Sequence, residues 1–356
     1  MKKLFLLLPL TRVVALLAGC VGTPVIYYSN CTCPTGSHGG SNGSSGDSTQ
    51  GTFAEGALKT GLAIVTSLSK SENAKQADYD ITLVAVLVDD EGVIRDCIID
   101  SIGAKVTFDA TGTITSDINA KILTKNELGD DYGMKTYGGA KYEWYEQASA
   151  LADFAVGKTV AQLKNGAIAE SGKAPAGSDL ATTATIYLGG YVSAVEEAVK
   201  NATHLGAEAG DELKLAAEAS VGSSKSATAD KAGNAQLDVT VTALTVSGDI
   251  ITSCYIDSVQ AKVGFDSTGF ISTDISMPVQ TKNQLGEKYG MVAWGGAKAE
   301  WKEQAAAFAL YVTGKTAAQV SGIAVTEGRP ADADLAASVT IAIGDFQKLI
   351  GKAMGK

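Results

Sequence analysis

Apolar and polar positions alternate most cleanly from Leu237 to Leu244, Leu-Asp-Val-Thr-Val-Thr-Ala-Leu, and that period of two predicts a strand. Ile81-Thr-Leu-Val-Ala-Val-Leu-Val88 reads as its counterpart earlier in the chain. A turn signal follows each, Asp90-Glu91-Gly92 or Ser247-Gly248-Asp249. Beyond the turn lies a second strand-like run that holds Cys97 or Cys254, so each pair predicts a β-hairpin. Further short strands, Lys105-Val-Thr-Phe108 and Lys262-Val-Gly-Phe265, lead into Asp109-Ala-Thr-Gly112 and Asp266-Ser-Thr-Gly269. Asp first and Gly fourth is what a type I turn prefers.

The period then changes. Trp144, Ala148, Leu151 and Ala155 recur at helical spacing, and Trp301, Ala305, Phe308 and Val312 repeat them, each set forming one apolar stripe. Gly157 and Gly314 suit the ends of these helices, because Gly tolerates the left-handed conformation. Thr159-Val-Ala-Gln162 and Thr316-Ala-Ala-Gln319 fit capping boxes that open short helices. A last strand, Ala184 to Leu188 or Val339 to Ile343, is expected before a C-terminal helix. Strands with segregated helices predict an α+β fold.

The elements recur because the text recurs. Thr124–Thr159 and Thr281–Thr316 are identical at 22 of 36 positions. The chain therefore reads as two tandem duplicated domains, each an antiparallel sheet with a packed amphipathic helix and a C-terminal helix. The first spans 55–200 and the second 211–356, with a short join at 201–210. The repeat is too long for a solenoid.

The N-terminus carries a different signal. Lys2 and Lys3 precede a mostly apolar run from Leu4 to Leu17, which ends in Leu17-Ala18-Gly19-Cys20. This resembles the lipobox of bacterial lipoproteins. The resemblance implies a signal peptide at 1–19, lipid on Cys20, and an extracytoplasmic protein held on the cell membrane. Residues 20–54 then form a tether, rich in Gly and Ser from Gly36 to Gly51, with a reach on the order of 30 Å. A Cys31–Cys33 bridge within it would close a strained loop.

Composition narrows the chemistry. A net charge of −10 argues against nucleic acid as a partner. The two His are His38 and His204, neither of them inside a repeat, so no Ser–His or Cys–His pair exists within one copy. No CxxC pair occurs, and no metal site is expected. Cys97 and Cys254, one per copy, read as small buried apolar residues. Gly157-Lys158-Thr159 and Gly314-Lys315-Thr316 echo a P-loop, but Ala152 and Ala309 stand where its first Gly is needed. Asp109 to Asp117 and Asp266 to Asp274 hold too few carboxylates for a calcium loop. Among the acids shared by both copies, Asp100 and Asp257 would serve a carboxylate hydrolase. Glu143, Glu300, Glu146 and Glu303 are expected on the solvated side of a helix.

The best-kept irregular segment is Tyr132-Gly-Met134 with Tyr137-Gly138-Gly139, repeated as Tyr289-Gly-Met291 with Trp294-Gly295-Gly296. Glycines beside aromatics let a planar ligand approach and stack, and they equally suit a loop that leads into a helix. Near the end of each copy, Asp179-Leu-Ala-Thr-Thr-Ala-Thr185 and Asp334-Leu-Ala-Ala-Ser-Val-Thr340 precede the final helix. With the upstream hairpin, this pattern resembles the FMN-binding domain family, in which a Ser-Gly-Ala-Thr motif carries the flavin. The resemblance would make Thr185 and Thr340 the flavin acceptors. Thr183 and Ser338 replace the motif's Gly, and Val339 replaces its Ala in the second copy.

The leading expectation is a non-enzymatic, membrane-anchored surface protein that binds an unidentified ligand or surface protein through equivalent sites. The alternative is an FMN-binding electron-transfer lipoprotein. Cys20→Ser is expected to release the protein from membranes or block its processing. Membrane fractionation and intact mass check this, and unchanged values would refute it.

Overall fold

The computed structural model describes residues 56–355, so Cys20, Cys31, Cys33 and the expected signal and tether lie outside the described residues. The fold is α+β. Strands β1 (Ala57–Ser67), β2 (Gln76–Val88) and β3 (Ile94–Thr107) open the first half. Helices α1 (Lys125–Leu128), α2 (Trp144–Ala155), α3 (Val160–Ala167), α4 (Asp179–Thr183) and α5 (Gly189–Lys200) follow. After β4 (Thr203–Glu208), the second half repeats the order: β5 (Glu212–Ser220), β6 (Gly233–Ser247), β7 (Ile250–Phe265), then α6 (Lys282–Leu285), α7 (Trp301–Val312) and α8 (Ala317–Ser321). A two-residue hairpin, β8 (Val325–Thr326) and β9 (Arg329–Pro330), precedes α9 (Ala333–Ser338) and α10 (Gly344–Ala353). The main sheets run β3-β2-β1-β4 and β5-β6-β7, with antiparallel neighbours throughout. Among the described residues no helix is long and apolar enough to cross a membrane.

Alternation along the strands sorts side chains into three cores. In β2, Tyr79, Ile81, Leu83, Ala85 and Leu87 face one way, and Val84, Val86 and Val88 the other. The first set meets Leu237, Val239, Val241 and Ala243 of β6, so the two sheets pack face to face around a shared core. The second set packs under α2 and α5 with Trp144, Leu151, Val192 and Val195. The second half matches this with Leu244, Val246, Trp301, Phe308 and Phe346. The layers are therefore helix, sheet, sheet, helix. Ile81 to Val88 is nearly all apolar because β2 is covered on both faces.

The register corrects the strand matching. Leu83 pairs with Asp100 and Val241 with Asp257, so Ile81 corresponds to Val239 and not to Leu237. A slip of two residues keeps every side chain on its face, which is why alternation alone does not reveal it. Lys105–Phe108 is not a separate strand, because β3 runs unbroken from Ile94 to Thr107. Strands β1 and β5 carry no clean pattern of their own; they form because β2 and β6 offer them an edge. The expected last strands are absent. The chain at 184–188 and 339–343 runs into the final helices without pairing in a sheet.

The halves are joined reciprocally. Phe108 and Phe265 stack with centroids 4.1 Å apart and planes 1° from parallel. The turn after each ring receives a loop of the other half. Ala74 N–H donates to Gly269 O at 2.8 Å, and Ala227 N–H to Gly112 O at 2.8 Å. Asn73 Oδ1 accepts from Ile271 N–H at 2.8 Å, and Ser226 Oγ from Ile114 N–H at 2.9 Å. Gly112 and Gly269 have φ of +68° and +72°, and a Cβ on either would sit 2.6 Å from the opposite turn's carbonyl oxygen. The glycine of each predicted turn thus serves the turn and the contact between halves.

Phe108→Ala is expected to cost roughly 3–5 kcal/mol. Guanidinium unfolding followed by circular dichroism should show one cooperative transition in wild type and variant, since the shared core leaves neither sheet covered alone.

Candidate functional site

The best-kept text folds into a closely matched pair of constructions, one on each outer side of the sandwich. Thr124 caps α1, accepting from Glu127 N–H at 3.2 Å while Glu127 accepts from Thr124 N–H at 2.9 Å. Asn126 then pins this turn to β3: its Nδ2 donates to Ile99 O and its N–H to Asp100 Oδ1, both at 3.0 Å. Asn283 repeats these bonds to Ile256 O at 3.0 Å and Asp257 Oδ1 at 3.1 Å. Asp100 and Asp257 are therefore buried pegs that hold a helix start against an edge strand. Burial raises both carboxyls, Asp257 to about 6, although hydrogen bonds from Thr281, Asn283 and Ser258 work the other way.

The lysine between the cap and the peg is held by aromatics. Lys125 Nζ lies 5.1 Å from the Tyr132 ring centre and 4.9 Å from that of Trp144. Lys282 lies 5.0 and 4.8 Å from Tyr289 and Trp301. Cation–π attraction on two sides replaces part of the lost hydration. Burial still pulls the Lys282 ammonium below its usual range.

Glu143 and Glu300 do not face solvent as expected; they are 1% and 3% exposed. Each caps its helix, and the irregular run folds over its carboxylate. Glu143 accepts from Met134 N–H at 2.7 Å and Lys135 N–H at 2.9 Å. Glu300 accepts from Met291 N–H at 2.9 Å and Val292 N–H at 3.0 Å. Glu146 and Glu303 complete the reciprocal caps by accepting from Glu143 N–H and Glu300 N–H.

Gln147 and Gln304 carry a role that the sequence reading missed. Gln147 Oε1 accepts from Thr185 N–H at 2.8 Å, Thr185 Oγ1 at 3.1 Å and Ile186 N–H at 3.2 Å. Gln304 does the same for Thr340 and Ile341 at 2.8, 3.1 and 3.2 Å. One carboxamide thus takes the backbone donors that a last strand would have paired. The available signal was a glutamine kept in both copies beside the apolar stripe. Gln147 also donates to Met134 Sδ at 4.0 Å, so Thr185 and the tyrosine–glycine run meet at one glutamine, and Ile341 and Met291 pack against the same core in the second half. Each Thr hydroxyl donates to the glutamine carbonyl, a bond that esterification of Oγ1 would remove.

Within that run most candidates serve the fold. Met134 and Met291 pack against the helix-side cores. Gly133 and Gly290 end a 3-10 turn at φ +79° and +82°. Met134 O accepts from Gly138 N–H, and Gly139 and Gly296 turn the chain at φ +64° and +65°. Gly295 lies so close to Met291 O that a Cβ would be 2.7 Å away. Tyr132, 38% exposed, walls the lysine. Tyr137 and Trp294 differ from these. Their rings lie over Gly133 and Gly290, where a Cβ would be 2.5 and 2.1 Å from ring carbon, yet they remain 87% and 82% exposed.

The other motifs resolve locally. Gly157 and Gly314, at φ +78° and +83°, close α2 and α7, and Thr159 and Thr316 open α3 and α8 with full capping boxes. Asp109 accepts from Thr111 and Thr113 within its own turn. Cys97 and Cys254 are buried free thiols, and burial pushes Cys254 up to about 12. Among the described residues no group of His, Cys, Asp or Glu is placed to hold a metal ion. Comparisons with protein-family models, curated proteins and solved structures found no match.

The raised Asp257 has a signed consequence. It is neutral in both states below its ordinary value of 3.8 and ionised in both above about 6, so its burial costs stability progressively as pH rises through that window. Asp257→Asn is expected to match wild type below that window and to exceed it above by about 3 kcal/mol. Urea unfolding across the window measures the difference, and a constant offset would refute it.

Proposed function

We propose that the chain is a lipid-anchored extracytoplasmic protein of non-enzymatic function, binding a ligand or a surface partner through two equivalent aromatic platforms, Tyr137 and Trp294. The observation that carries this reading is their exposure, 87% and 82%, on loops whose other kept residues are committed to structure. A large ring left in water adds nothing to a core, and held rigidly over a glycine it offers a flat stacking face at little entropic cost. The identity changes between copies while the aromatic character stays, as a stacking surface tolerates. Two weak sites on one chain gain by effective concentration. An acylated Cys20 and a Gly/Ser-rich segment would display them away from a membrane. The anchor reading rests on the lipobox resemblance.

Trp294 reports on its own binding, because Trp144 and Trp301 are 2% and 6% exposed. Titrating the protein with polysaccharides and peptides is expected to yield a ligand that shifts Trp294 emission to the blue. Tyr137→Ala should weaken binding of that ligand, immobilised on a surface, by roughly 10²-fold. Adding Trp294→Ala should abolish it, with the unfolding midpoint within about 2 °C of wild type. Undiminished binding by the double variant would overturn the proposal.

A further inference from the structure

Among the rungs at which the two strand ladders differ, one exchanges a bridging side chain for a glycine. Asp238 on β6 stands opposite Gln260 on β7, whereas Asp80 on β2 stands opposite Gly103 on β3. In the second half the Gln260 carboxamide bridges two groups. Its Nε2 donates to Asp238 Oδ1 at 3.0 Å, and its Oε1 accepts from the Tyr289 hydroxyl at 3.2 Å. In the first half both flanking groups are kept. Tyr132 holds the place of Tyr289, with its ring 5.1 Å from the caged lysine against 5.0 Å. The bridging side chain is missing, Asp78 stands in the place of Gln236, which also donates to Asp238, and Lys70 pairs with the Asp80 carboxylate instead.

The backbone does not demand a glycine there. Gly103 lies within β3, outside the left-handed region, where glycine weakens a strand. A Cβ at this position would meet nothing within 4 Å. What the glycine leaves is space. Gly103 also lines a cleft of about 310 Å³ along the outer edge of β3, walled by Lys105, Lys121, Ile122, Leu128 and Val221.

We propose that the first half binds an amide-bearing ligand at Gly103, the amide taking the place that the Gln260 carboxamide fills in the second half. The ligand N–H donates to the Asp80 carboxylate, and its carbonyl accepts from the Tyr132 hydroxyl. The rest of the ligand lies along the cleft, against Ile122, Leu128 and Val221. Neighbouring charges are already balanced: Lys70 pairs with Asp80 at 3.0 Å and Lys105 with Asp78 at 3.3 Å. That balance favours a neutral polar group over an ion. The Lys70–Asp80 pair is exposed, so sharing the carboxylate with a ligand costs little. This site is distinct from the aromatic platforms and does not use Tyr137 or Trp294.

The amide has two sources, the N-acetyl group of an amino sugar and the amide of a peptide. Nitrogen-15 NMR of the whole protein separates them, with N-acetylglucosamine and the tripeptide Gly-Gln-Gly as probes. We expect at least one probe to shift the amide signals of Gly103 and its neighbours. Gly103→Gln rebuilds the second half's bridge and should weaken that binding at least about tenfold without lowering the unfolding midpoint. Tyr132→Phe removes one oxygen and should weaken it by about tenfold. Response to the sugar alone, to the tripeptide alone or to both supports the site and names its source. No shift with either probe at tens of millimolar overturns it, as do shifts that survive Gly103→Gln. Tyr137→Ala with Trp294→Ala should leave the shifts unchanged, so this site and the platforms fail independently.

Discussion

Each sheet has two apolar faces, and its own helices cover only one of them. The other face must be buried by something outside that half. Here the second half supplies the cover, and most of the remaining structure follows from it. The stacked Phe108 and Phe265, the glycine turns that approach each other's carbonyls, and the exchange of Asn73 and Ser226 hydrogen bonds all lie where the two faces meet. The core of one half is incomplete in the same way as a single repeat of an array, although here two units close the structure.

Outside the sandwich, the organising cost is burial of polar groups. Asp100, Glu143 and Gln147, with their twins Asp257, Glu300 and Gln304, are all buried. An unpaired buried polar atom costs about 1–3 kcal/mol, so each of these atoms is held to its partners. Together they replace regular pairing where regular structure stops: Asp100 at an edge strand, Glu143 at a helix start, Gln147 along a segment without a sheet. That explains why identity between the copies is highest here. A residue with several required hydrogen bonds tolerates little change, whereas an apolar core position accepts another apolar side chain when its neighbours repack, as Leu151 and Phe308 show.

The sequence was legible where a local signal decides the structure. The α+β class, the Trp144 and Trp301 stripes, the two terminating glycines and the capping boxes need only neighbours a few residues away. It was illegible where a distant partner decides. Strands β1 and β5 take their conformation from β2 and β6. Ala184–Leu188 has the composition of a strand but joins no sheet, and Gln147, far off in the chain, takes the N–H donors of Thr185 and Ile186. Glu143 sits at a position that helical periodicity calls polar, and only the fold of the Tyr132–Gly139 run encloses it. Of the site candidates, the run itself stood out as text, but exposure alone separates Tyr137 from Met134.

Differences between copies then carry more information about specificity than identities do. Lys352 of α10 reaches across to Glu127 of the first half at 2.8 Å and to Glu218 at 3.0 Å. Burial raises the Glu127 carboxyl, but the Lys352 pairing and the Thr124 hydrogen bonds outweigh it and lower the carboxyl below its ordinary value. At the corresponding place on the other side, Glu197 of α5 meets Gln284 at 3.4 Å. Exchanging the second half for another copy of the first would bring Glu197 against Glu127, two carboxylates in a part-buried contact. Like charges so placed oppose association by an amount comparable to what the ion pair contributes. The shared apolar faces do not distinguish self from partner, because both present the same alternation of aliphatic residues. The charge at these two positions does, and it is set so that each half is complementary to the other and the first half is not complementary to itself.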